Sequence, residues 1–300
     1  MANYSSSLDL HLGALPDISS DIDPALYSAL VDIHSAIEKL SGTTTEYIYT
    51  SSVVVHSAAQ LIGPLSSTVL YIIDGVIDMG TGSIIVPAGG LTLRGLGKNV
   101  SGLVSSQDSF TLFTSPVGGS GDLKIHELYF FITGTGSSVF GITAALGTEA
   151  VELSTVNFNS CTSLGYIDGY RQGLETDTGR FGGTPTLELR SPWAGGYRAT
   201  TTIVRNLDNA MNAPLFKAGT GLTMGSRFLT DMNADLGTTA SIVDFVPANF
   251  TLSSLLQFSG ALITRNGVLD PEDASLVPNI FPSSLESAWR DNIGLSNTYE

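Results

Sequence analysis

The feature that most constrains this chain is an internal repeat. The pattern apolar-x-apolar-x-x-apolar occurs at Leu91, Leu93 and Leu96, at Leu123, Ile125 and Leu128, and at Val151, Leu153 and Val156. The second and third copies run on in parallel to Phe130 and Phe158. Alternation points the first two positions of each copy to one side of a strand. The extra residue before the third position marks a bend or bulge, after which the chain points inward again. The copies begin 32 and then 28 residues apart, which suits one solenoid turn with its loop. Phe130 and Phe158 are then expected to stack between neighbouring turns.

Short β-rich runs extend the pattern in both directions: Val69–Ile73, Ser83–Val86, Leu91–Leu93, Leu123–Ile132, Val151–Phe158, Leu187–Leu189, Thr200–Val204, Ile242–Phe245 and Leu255–Phe258. Clusters of Gly, Ser, Asn, Asp and Pro punctuate them. No helical pattern of ten residues separates them, which excludes a doubly wound α/β sheet. The expected class is all-β, a parallel β-helix. A β-sandwich spaces its strands in a similar way and is the alternative.

The ends have a different texture. Asp23 can cap a helix that starts at Pro24. Leu26, Leu30, Ile33, Ile37 and Leu40 then follow at heptad spacing, and Gly42 stops the helix. That stripe reads either as a face packed on its own domain or as a self-association seam. About 18 residues is marginal for an isolated helix in water. At the other end Pro271, Pro278 and Pro282 break regular structure, and Ser283 with Glu286 forms a capping box for a short helix bearing Leu285 and Trp289. The expected organisation is an arm and docking helix over 1–42, a connector over 43–68, a β-helix body over 69–265, and a cap or partner-binding segment over 266–300. The cap would shield an open sheet end.

Charge narrows the function. Thirteen Lys and Arg against 28 Asp and Glu give a net charge of −15. Duplex nucleic acid needs clustered cations, so neither it nor an anionic membrane surface is an expected partner. The N-terminus has no basic region followed by an apolar one, so no secretory signal is read there. No apolar run approaches the ~18–20 residues that cross a bilayer. One cysteine, Cys161, cannot form an internal disulfide, and His11, His34, His56 and His126 are too scattered for a zinc site. No metal or cofactor is expected.

Chemical motifs are sparse. Gly95-x-Gly97 does not complete a dinucleotide fingerprint. Asp74, Asp78 and Asp122 lack calcium-loop spacing, and no Gly-x-Ser-x-Gly elbow is present. Asn99 and Asn249 begin glycosylation-type triplets without an accompanying secretory signal. The densest polar stretch is Asp168–Arg180, with Asp168, Arg171, Glu175, Asp177, Tyr166 and Tyr170. Two carboxylates about 5–9.5 Å apart would serve glycoside hydrolysis, and a base beside an arginine would serve a lyase. The competing reading is a long loop whose charges pair with each other or with a neighbouring subunit.

Three stretches resemble a family. DIDPALYSALVDIHSAIEKL is similar to the short helix that phage structural proteins place near their attachment point. YIIDGVIDMGTGSIIVPAGGLTLRGLG resembles the opening turns of a pectate-lyase-like helix, and SAWRDNIGLSNTY looks like the exit from a fibre's β-helix. Together they resemble the trimeric right-handed β-helix proteins of bacteriophage virions, the head fibres and tailspikes. The resemblance implies a homotrimeric, non-enzymatic virion protein made in the host bacterial cytoplasm. It would contact capsid or tail proteins, with Trp289 and Tyr299 as candidate contacts to a distal fibre. In such fibres a receptor-binding or trimerising domain often follows the β-helix; this sequence stops, which favours a fibre base. A polysaccharide depolymerase using Asp168–Arg180 is the alternative. A third reading is a carbohydrate-binding module that stacks sugars on Tyr170, Trp193 or Tyr197.

Overall fold

In the computed structural model, which describes residues 49–205, 207, 213–235, 241–251, 254–264 and 283–285, the chain winds into a parallel β-solenoid. Strands β1 (Ser51–Val55), β2 (Val69–Ile73), β5 (Leu91–Gly95), β8 (Leu123–His126), β11 (Ala150–Ser154) and β14 (Gln172–Thr176) stack as one wall. A second wall holds β3 (Val76–Asp78), β6 (Gly102–Ser105), β9 (Tyr129–Ile132), β12 (Asn157–Asn159) and β15 (Gly179–Phe181). The longer strands β18 (Gly196–Arg205), β21 (Arg227–Asp235) and β22 (Leu255–Thr264) continue both walls. The third wall is β4 (Ile84–Ile85), β7 (Thr111–Thr114), β10 (Ser138–Thr143), β13 (Gly165–Asp168), β16 (Leu187–Arg190) and β19 (Phe216–Ala218). A small pair, β17 (Pro192–Trp193) and β20 (Thr223–Met224), lies between turns. Every pairing among the described residues is parallel, and crossovers between parallel strands coil right-handed as a rule.

The register follows the repeat. Leu91 pairs with Leu123, and Leu123 with Val151; Leu93, Ile125 and Leu153 line up beside them. The side chains of all six are buried. The extra residue in the second and third copies, and its equivalent in the two turns that follow, is a corner. Glu127, Thr155, Asp177 and Thr201 all have left-handed backbones, with φ between 52° and 56°. Ladder hydrogen bonds pass straight through it: the N–H of Glu127 donates to the Ser154 carbonyl, that of Thr155 to Thr176, and that of Asp177 to Thr200. For this reason Leu123–Ile132 and Val151–Phe158, each read as one run, are two strands around a corner.

The structure corrects four expectations. Leu96 does not point inward; it is 58% exposed, and Ser101 fills the inward place that Leu128 and Val156 hold in the next turns. An insertion between Leu96 and Ser101 pushes the leucine out of the column. Parallel pairing begins inside the stretch read as a connector: β1 is in register with β2, and a short helix α1 (Ala59–Ile62) buries Leu61 between them. Ile242–Phe245 makes a single bridge, Val243 to Phe216, rather than a strand. Finally, Asp168–Arg180 is not a long loop, since it contains β14 and parts of β13 and β15.

The expected N-terminal helix, its seam Leu26, Leu30, Ile33, Ile37 and Leu40, and the C-terminal residues Trp289 and Tyr299 lie outside the described residues. Leu285, in a single 3-10 turn over Ser283–Leu285, packs against the solenoid core.

Aromatic stacks run along the interior. Phe130 and Phe158 are fully buried with ring centroids 5.5 Å apart and planes 22° from parallel. Across the lumen Phe113 and Phe140 stack at 5.7 Å, and Phe113 meets Phe130 edge-on at 5.8 Å. Truncating a buried ring removes contacts and leaves a cavity. Phe130→Ala and Phe158→Ala are therefore each expected to destabilise the fold by about 3–5 kcal/mol, read as a lowered midpoint in urea unfolding. An unchanged midpoint for either would contradict the stack.

Candidate functional site

The polar segment from Asp168 to Arg180 is distributed over four environments. Asp168 ends β13 and sits half-buried on the outer face of the third wall. Arg171 is exposed in the following turn, where its carbonyl accepts from the Gly195 N–H at 2.7 Å. Glu175, in β14, faces the lumen and is 0% exposed. Asp177 occupies the left-handed corner and pairs with Lys98 at 2.7 Å. The three carboxylates do not share a face.

Glu175 and Arg180 take up positions that neighbouring turns fill with apolar residues. Glu175 follows Leu93, Ile125 and Leu153 in one inward column, and Arg180 follows Leu103, Phe130 and Phe158 in the next. Both side chains are fully buried, and Arg180 Nη2 lies 3.0 Å from Glu175 Oε1. Tyr197 and Thr178 donate their hydroxyls to the same carboxylate. Arg180 Nη1 reaches across the lumen to the Pro185 and Leu215 carbonyls at 3.1 and 2.9 Å, and its guanidinium lies 4.3 Å over the Phe216 ring. Burial and the Glu175 carboxylate raise the Tyr197 phenol well above its ordinary value, so it remains a donor. This buried network holds two walls together, with Arg180 Nε the one guanidinium nitrogen left without a hydrogen-bond partner. No substrate reaches it.

The outer face of the third wall carries the other cluster. Register places Tyr166 beside Glu188 and Glu188 beside Lys217, while Asp168 pairs with Arg190. Arg190 Nε sits 2.6 Å from Glu188 Oε1, and its guanidinium stacks 3.8 Å over the Tyr166 ring. The Glu188 hydrogen bond raises the arginine further above its usual range. Asp244 accepts from the Ala218 N–H at 2.6 Å; burial raises its carboxyl, while the Lys217 charge works against that rise. Acid and base alternate from rung to rung, as Lys124 and Glu152 do on the first wall at 3.9 Å. Such ladders support cross-strand pairing.

Tyr170, Trp193 and Tyr197 cannot act as sugar platforms, because all three are core residues at most 1% exposed. Each polar tip is satisfied inside: Tyr170 by Ser120 and Gly121, Trp193 by the Arg190 carbonyl, and Tyr197 by Glu175. Cys161 is buried, and burial pushes its thiol up to about 12. Among the described residues no group of three or more His, Cys, Asp or Glu is placed to hold a metal, and no helix is long and apolar enough to cross a membrane.

The lumen pair had a sequence signature that the apolar repeat conceals. Gly173, Glu175, Thr178 and Arg180 stand 22 residues after Val151, Leu153, Val156 and Phe158, the same pattern in polar letters. Glu188, Arg190, Lys217 and Asp244 have no signature of this kind, since only the register brings them together. Removing one partner of a buried pair leaves an unpaired charge in the lumen, so Glu175→Ala is expected to destabilise by about 3–5 kcal/mol. Restoring both apolar columns with Glu175→Leu plus Arg180→Phe should recover most of that loss. Chemical denaturation of both variants checks this, and a double variant no better than the single one would show that the pair is more than a substitute for packing.

Comparison of the chain with family models, with curated proteins and with solved structures found no match.

Proposed function

We propose that this chain is a non-enzymatic structural protein, the β-solenoid body of a homotrimeric spike, fibre or fibre base on a bacteriophage particle. The virion setting rests on the resemblance of the three sequence stretches. The observation that favours assembly is a ridge of apolar tips at one corner. Val117 and Leu146, on loops of adjacent turns, are the most exposed large apolar side chains among the described residues, Leu146 at 82%. Both are held in place. Val117 sits in a tight turn closed by the Gly119 N–H on the Pro116 carbonyl at 3.0 Å. The buried Glu149 carboxylate accepts from the N–H groups of Leu146 and Thr148, each at 2.8 Å. Rigid apolar tips in water suit contact with another copy, and a cyclic trimer closes such a head-to-tail contact.

The division of Asp168, Glu175 and Asp177 among separate environments supports a structural reading over a depolymerase. Release of reducing ends from host capsular polysaccharide would overturn it. Light scattering at micromolar concentration is expected to give a trimer mass, and Val117→Asp with Leu146→Asp is expected to lower that mass without shifting the thermal midpoint. A wild-type monomer would sink the assembly claim. Deleting residues 1–42 is expected to leave a folded β-body that no longer enters particles, measured by mass spectrometry of purified virions; equal incorporation would remove the docking role from that segment.

A further inference from the structure

We infer that the outer face of the first wall carries a binding site for a single phosphate or sulfate group, held by Arg198, Arg227 and Gln172. A pocket of about 230 Å³ opens there across β11, β14, β18 and β21. Register places its donors. Gln172 pairs with Gly196, and Gly196 lies against Arg227 of the next turn. Arg198 stands two residues along β18 from Gly196, on the same outward face. One strand spacing across and two residues along put the two arginines roughly 8 Å apart at their Cα atoms.

Both guanidinium groups lack a counter-charge. Arg94, Arg180 and Arg190 each hold a carboxylate, in Glu127, Glu175 and Glu188. Arg198 and Arg227 are exposed, and among the described residues no carboxylate lies within 4 Å of either. The column shows why. It runs Lys124, Glu152, Leu174, Arg198. Lys124 and Glu152 pair on adjacent rungs at 3.9 Å, and Leu174 takes the rung where an acid would meet Arg198. Glu152 borders the pocket, but its backbone is two rungs from Arg198, roughly 9–10 Å. Arg171, exposed one residue before Gln172, adds a third cation to the neighbourhood. Glycine makes the room. Gly196 has φ of 79°, and a Cβ there would strike the Arg227 carbonyl. Two neighbouring cations without an acid repel each other, and an anion between them removes that repulsion.

The donor set selects the ligand. Each guanidinium offers a fork of N–H groups matched to oxyanions, and the Gln172 carboxamide adds a neutral donor. Three donor groups around one concavity match a tetrahedral anion better than the two oxygens of a carboxylate. A polyanion fits less well, because Glu152 borders the pocket and the chain's charge of −15 repels extended anions. For a single group the distant charges are screened beyond about 8 Å at physiological ionic strength, and the arginines decide. A free ion and an ester on a small molecule present the same oxygens. The inference does not rest on the virion reading and uses neither Val117 nor Leu146.

The test is calorimetric titration of the full chain with inorganic phosphate, sulfate, glycerol 3-phosphate and acetate, at matched ionic strength and a mildly alkaline pH that keeps phosphate a dianion. At least one tetrahedral anion is expected to bind saturably at millimolar concentration or below, and at least about fivefold more tightly than acetate. Arg198→Gln and Arg227→Gln are each expected to weaken that binding at least about fivefold with an unchanged thermal midpoint. Leu174→Glu, which places an acid on the rung beside Arg198, is expected to do the same, and Arg94→Gln to leave binding intact. Tighter binding of glycerol 3-phosphate than of phosphate would support the site with an ester as its ligand, and the reverse order would support it with the free ion. No saturable binding of any tetrahedral anion at millimolar concentration would overturn the proposal. So would acetate binding as tightly, or binding that all three pocket variants leave unchanged. A fall in assembly mass in Arg198→Gln would overturn it too, by showing that a carboxylate of another copy fills the pocket.

Discussion

Everything in this molecule depends on each turn returning the chain to the same place one strand spacing further along. Leu91, Leu123 and Val151 can share a column only if the intervening loops close without residue slippage, since a slip of one would turn every inward side chain outward. The column of left-handed residues Glu127, Thr155, Asp177 and Thr201 meets that requirement at the corner between the first and second walls. Each is a non-glycine residue in a conformation that L-residues adopt at some cost, and Glu127, Thr155 and Asp177 are each held by a ladder hydrogen bond to the next turn. The corner is thus maintained by the stack rather than by the residue that occupies it.

The same constraint explains how a charged pair lives in the lumen. Glu175 and Arg180 stand in adjacent inward columns of a single turn, so the register that aligns leucines and phenylalanines elsewhere also aligns carboxylate and guanidinium. Arg180 then spans the lumen to carbonyls at Pro185 and Leu215, and these contacts tie the second wall to the third. An apolar turn here would seal the interior but leave those two carbonyls without this donor.

Much of the fold was legible because period and polarity agree. Val69–Ile73 is a strand over those same residues, and the Leu91, Leu123 and Val151 repeat is the register of the first wall. Legibility failed where one of the two signals was missing. Leu96 has the right polarity, but a local insertion moved it off the period. Gly173 to Arg180 keeps the period and loses the polarity, so a strand turn looked like a charged loop. The outward feature was hidden for a different reason: nothing local to Val117 or Leu146 says that successive turns will bring them to one corner. The heptad residues, Trp289 and Tyr299 lie outside the described residues.

The insertion after Leu96 also has a mechanical consequence. Lys98 reaches from its own turn to Asp177, three turns along, and on the way the Asn157 carboxamide donates to the Lys98 carbonyl and to Asn99. Hydrogen bonds between successive turns lie along the axis of a solenoid, so tension along that axis would open them one interface at a time. A strap that crosses three interfaces places them under load together. The turns from β5 to β14 would therefore yield as a block, while the turns beyond Asp177 would peel singly.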